Sequence, residues 1–198
     1  MKRIVILMAA MTALLLTSYG RTPEERLEII KKAHEGNAEA QWQVGFMHET
    51  GEGVTQSKEE AAKWYLKSAD NGFSDAQFCI GKCYMLGLGV KQNEELGLEW
   101  FERAAAQNET SALNQLAYAY AKGKFFKPNK AKALSLISKN IEIDPENPNW
   151  YDSKGEIYAI FGDYENAKVM YEKVLKISPK FYENNEPAVL DDIIKGRK

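Results

Sequence analysis

The sequence predicts an all-α fold, a right-handed α-solenoid of stacked antiparallel helical hairpins. Three observations predict it. Residues 36–71 recur as 72–107 with eleven identities in 36 positions. Within each copy the apolar residues follow helical spacing, as in Ala40, Val44, Met47 and His48, and again in Ala61, Trp64, Tyr65 and Ser68. Helix-start residues and glycine pairs recur at matching places. A repeat of this length is a unit that cannot bury its apolar face alone and must stack on a neighbour.

The chain has 198 residues, 44% hydrophobic and 27% charged, which suits one globular domain, here expected over 21–198. A formal charge of −2 supplies no basic footprint for nucleic acid. Two cysteines and two histidines are too few for a disulfide framework or a structural zinc site.

Residues 1–20 read as a signal peptide. Lys2 and Arg3 precede an apolar stretch from Ile4 to Leu16, and Ser18 and Gly20 stand at the −3 and −1 positions of a cleavage site. An uncleaved anchor is the alternative, although the stretch is short for a membrane span. Losing the two basic residues takes the formal charge from −2 to −4. The expected location is therefore periplasmic or secreted, with no membrane insertion of the mature chain.

The elements follow in order. Thr22-Pro23-Glu24-Glu25 has an N-cap, a proline at the first helical position and a capping-box acid, so a capping helix is expected over 23–35. The first full repeat, 36–71, turns between its helices at Gly51-Glu52-Gly53-Val54 and restarts with a Ser57/Glu60 capping box. The second, 72–107, turns at Gly87-Leu88-Gly89-Val90 and restarts at Asn93 with acids behind it. Gly45, Gly81 and Ala117 mark close helix approach, and Trp64 and Trp100 are expected to fill the space opposite, as core. A third copy, 108–144, keeps Ala112, Tyr120, Gly123, Ala133 and Lys139, with Phe125 and Phe126 replacing the second glycine and the valine. A fourth hairpin is expected over 148–181, with Asp163 as an N-cap. A short amphipathic helix over 187–196 would close the array.

The pattern Ala40-x3-Val44-Gly45-x2-His48-x2-Gly51-x-Gly53-Val54 … Ala61-x2-Trp64-x2-Lys67-x-Ala69 resembles the Sel-one-like repeat, and its second copy resembles it more closely. The stretch Tyr151-x2-Lys154-Gly155-x2-Tyr158 … Ala167-x3-Tyr171 … Pro179 is similar to a tetratricopeptide repeat. Both resemblances imply helical hairpins and a protein-binding scaffold. Cysteine-rich secreted members of the first family carry a cysteine pair in each repeat and have been linked to β-lactam binding. Here Cys79 and Cys83 lie four apart on one helix, where a disulfide would be strained, and buried free thiols are the other reading. No Ser-x-x-Lys occurs.

The glycine corners lack the Gly-Lys-Ser/Thr of a phosphate loop, and His34 and His48 belong to no metal-ligand pattern. No catalytic, cofactor or metal site is expected. The resemblance to tetratricopeptide repeats implies a concave face lined by the first helix of each pair. That gives Glu39, Trp42, Phe46 and Glu49, then Asp75, Phe78, Lys82 and Met85, then Asn114, Tyr118 and Lys122, then Asn149, Asp152 and Glu156. Aromatics lead and acids follow, a composition suited to a protein or peptide partner. Trp42 and Phe78 could instead pack between neighbouring first helices. The expected function is a non-catalytic scaffold or adaptor of the cell envelope. A self-assembling envelope component and a secreted hydrolase of the cysteine-rich type are the alternatives.

Overall fold

The computed structural model describes residues 21–183. The predicted signal peptide over 1–20 and the predicted terminal helix over 187–196 lie outside the described residues. All regular structure among the described residues is helical: α1 (Pro23–His34), α2 (Ala38–Thr50), α3 (Lys58–Asp70), α4 (Ser74–Leu86), α5 (Glu94–Ala106), α6 (Thr110–Lys122), α7 (Lys130–Ile143), α8 (Pro148–Ile160) and α9 (Tyr164–Ile177). Two compact units meet within α5, one ending at Trp100 and the other beginning at Phe101. No described helix is long and apolar enough to cross a membrane.

The first unit starts as its sequence dictates. Thr22 accepts from the Glu25 amide while Glu25 accepts from the Thr22 amide, closing a full capping box. The corner after α2 shows what its two glycines do. Gly51 ends the helix at φ 81°, a left-handed conformation that costs other residues a steric penalty. The second glycine serves close approach. At Gly89, its counterpart one repeat on, a Cβ would stand 2.0 Å from the Lys58 carbonyl oxygen.

The Ser57/Glu60 box is only half made. Ser57 caps α3 by accepting from the Glu60 amide, but the Glu60 carboxylate pairs with Lys63 instead of returning to the cap. The reason is that the Ser57 amide already donates to the His48 carbonyl at 2.9 Å. The same bond joins Asn93 to Tyr84 and Asn129 to Tyr120, each at 2.9 Å. It fixes the return of the chain in all three repeats, including the one whose corner reads Gly123-Lys124-Phe125-Phe126. There Phe126 stacks on Tyr120 with ring centroids 4.3 Å apart.

The helices of a hairpin meet at small residues, but the filler differs from the expectation. A Cβ on Gly45 would lie 2.6 Å from the Tyr65 ring, and Tyr65 is 1% exposed. Trp64 is half-buried on an adjacent face of α3, packed beside Ala33, Ala40 and Val44 and capped edge-on by His34. Tyr65, not Trp64, therefore fills the hairpin interior, because successive helical residues point about 100° apart. Trp100 is buried as expected. Hairpins in turn are joined by buried glutamines. Gln41 donates to the Ala33 carbonyl and Gln77 to the Ala69 carbonyl, each adding a side-chain bond to a C-terminal carbonyl that already accepts from the Gly36 or Gly72 amide.

In the second unit Asn140 donates to the Thr110 carbonyl, as Ser68 does to Ala38 in the first. The last hairpin repeats the close approach of the first, with Gly155 against Tyr171. Asp163 caps α9 and pairs with Lys130 at 2.7 Å.

Candidate partner-binding face

Helical spacing puts the candidate residues of each first helix on one side, but their surroundings differ. In the first unit Trp42 packs against Phe73 at 5.7 Å and Phe46 at 6.3 Å between ring centroids, and its indole nitrogen is buried. It borders the core around Tyr65, Ile80 and Trp100, so it acts as a packing residue with an accessible edge. Phe46 extends outward and is 40% exposed. Phe78 is half-buried. Met85 leans on Gly97 of α5 and is turned toward its own hairpin.

Glu49 connects three elements. It accepts from the Tyr65 hydroxyl at 2.5 Å and pairs with Lys82 at 3.3 Å. Burial and the bond to Glu49 raise the Tyr65 phenol above its ordinary range. Phe46, the Trp42 edge, Glu49 and Lys82 thus form one patch joining α2 and α4. Glu39 and Asp75 are exposed on the first turns of the same two helices.

In the second unit the acids are already engaged. Tyr118 donates to the Glu156 carboxylate, and Tyr182 donates to Asp152 at 2.7 Å. Burial raises the Asp152 carboxyl above its ordinary value, against the lowering effect of the Tyr182 bond. The Lys122 ammonium lies 5.0 Å from the centroid of the Tyr118 ring. Asn114 has a buried amide oxygen without a hydrogen-bond donor. Asn149 turns back to the Asn147 cap. The expected run of open acids is instead a closed tyrosine–carboxylate network.

Tyr65, Phe73 and Tyr182 contribute to these surroundings and were not among the sequence candidates. Tyr65 could have been found by pairing Gly45 with Tyr65 as Gly155 pairs with Tyr171. Cys79 and Cys83 are free thiols. Burial pushes each up to about 11, with the Trp42 indole opposing the shift at Cys79. Among the described residues no group of three or more histidine, cysteine or acidic side chains is placed to hold a metal ion.

Comparison with known proteins agrees with the repeat geometry. The family model described as Sel1 repeat matches residues 38–73, 74–109 and 110–139. The chain belongs to the Sel1 repeat family. Among solved structures, a Sel1 repeat protein from Oxalobacter formigenes is 28% identical with a TM-score of 0.65, covering 72% of this chain and 59% of its own. A protective antigen present in uropathogenic Escherichia coli strains, displaying an SLR fold, is 27% identical with a TM-score of 0.66, covering 76% of this chain and 33% of its own. The chain thus spans less than two thirds of either relative. YrrB, a TPR protein with an unusual peptide-binding site, is 23% identical with a TM-score of 0.52, a likeness of fold. It covers 74% of this chain and 72% of its own. No curated protein matches. The Sel1 repeats of this chain are followed by the α8–α9 hairpin, outside the matched residues.

Proposed function

We propose that this Sel1 repeat protein is a non-catalytic interaction scaffold that binds a protein or peptide on α2 and α4, the first helices of its first two hairpins. The observation that carries the proposal is the patch on α2 and α4, where exposed Phe46 lies beside the Trp42 edge and the Lys82–Glu49 pair. An exposed aromatic at the edge of a packed cluster offers apolar area with little ordering cost, and the flanking ion pair can be exchanged for pairs with a partner. Repeat proteins of this architecture commonly use such surfaces for binding. On the first helices of the second unit, Tyr118, Lys122, Asp152 and Glu156 are engaged within the unit, so they support the framework more than they offer free contacts.

We further propose that the scaffold acts outside the cytoplasm, on the strength of the Lys2-Arg3 start and the apolar stretch behind it. A Phe46→Ala/Lys82→Glu variant tests the binding face, because both side chains are accessible and neither fills the core. Quantitative co-purification from envelope extract should lose specific partners in this variant while its helical content stays unchanged. Identical partner profiles would overturn the assignment of the face.

A further inference from the structure

The second unit holds an open pocket of about 300 Å³ whose floor includes Leu113, Leu116 and Leu136. Its origin is visible in the repeat register. Leu136 on α7 occupies the position that Trp64 and Trp100 hold in the preceding copies. Trp64 packs over Ala33 and Val44 with Ile30 alongside. Shifted by two repeats, these three positions become Ala105, Leu116 and Glu102, and all three line the pocket. The cavity is therefore the tryptophan seat of the repeat, left open where leucine replaces the indole.

The rim strengthens this reading. Lys67 lies over the Trp64 ring, 4.3 Å from its centroid. Lys139 is the same residue two repeats on, and it borders the pocket. Lys132 joins it, and its ammonium has no ion pair among the described residues. With Glu102 as the single acid, the rim is net positive.

We infer that this pocket receives an aromatic side chain, of indole size, from an acidic segment of a partner protein. The apolar floor takes the ring, Lys139 covers its face as Lys67 covers Trp64, and Lys132 meets a flanking carboxylate. This site uses the side of α6 that carries Leu113 and Leu116, whereas the proposed binding patch lies on α2 and α4. Either can fail without the other.

The probe is an end-blocked pentapeptide with one tryptophan between pairs of glutamates, titrated against the full chain and followed through leucine methyl NMR signals. Saturable shifts at Leu113, Leu116 and Leu136 are expected, and a lysine-flanked tryptophan peptide should bind at least about tenfold more weakly. Leu136→Trp places the chain's own indole in the seat and should cut binding at least tenfold. Lys132→Glu/Lys139→Glu alters only the rim and should reverse the preference between the two peptides, a test that holds even if the tryptophan variant folds poorly. No methyl shift at millimolar peptide, equal binding of both peptides, or an unchanged preference in the rim variant would overturn the proposal. So would undiminished binding by a folded Leu136→Trp protein.

Discussion

At the residue scale, Gly45 and Tyr65 determine how closely the first hairpin closes. A methyl at Gly45 would meet the Tyr65 ring at 2.6 Å, inside contact distance, and the ring is held by buried neighbours. Gly45→Ala should therefore destabilise by about 1–3 kcal/mol in chemical denaturation, the range for overpacking. Tyr65→Ala should cost about 3–5 kcal/mol, as for other large aromatics in cores, and more than Trp64→Ala, since Trp64 is only half-buried. Identity between copies points to Trp64. The interior filler is harder to see because it varies as Tyr65, Phe101 and Ile137, all of them buried and none of them identical. Asp152 gives a pH test. Its folded pKa is raised by burial, so the folded state holds a proton that the unfolded chain releases at about 4. Stability should fall as pH rises from there through the folded pKa, and Asp152→Asn should flatten that slope in denaturation at several pH values. The thiols give another. At pH 8, three units below about 11, roughly one thiol in a thousand is ionised, so Cys79 and Cys83 should alkylate far more slowly than an exposed cysteine until denaturant is added.

At the scale of the element, the corner is a backbone device as much as a glycine motif. The amide of each N-cap bonds a carbonyl nine residues earlier, at Ser57–His48, Asn93–Tyr84 and Asn129–Tyr120. This explains why the third corner keeps its course with two phenylalanines in place of glycine and valine. Sequence pattern exposes the side chains of a corner and hides its main-chain bonds. The N-cap residues are legible because a side chain can be matched to a motif, whereas the Glu60 return bond is displaced by a main-chain competitor, the His48 carbonyl, that no motif displays. Asn129→Ala removes the cap received by the Lys132 amide and should cost about 1 kcal/mol by thermal or chemical denaturation. Glu60→Gln should leave stability unchanged, because that carboxylate serves only an exposed pair with Lys63.

At the scale of the whole molecule, the repeat period of 36 carried most of the fold, and it did so through small residues and caps rather than through any catalytic motif. The binding face was less legible. Helical phase placed Trp42, Phe46, Glu49 and Lys82 on matching sides, but phase does not reveal that Trp42 is half-sunk or that Glu156 and Asp152 are bonded to tyrosines. On that face, what remains open to a partner is concentrated on Phe46 and the Lys82–Glu49 pair. The most direct measurement is a quantitative comparison of proteins co-purifying with the wild-type chain and with the folded Phe46→Ala/Lys82→Glu variant. An interaction scaffold that uses this face should retain one or more partners only in the wild type, with at least a tenfold loss in the variant. Equal recovery of every partner by the two proteins would contradict the account.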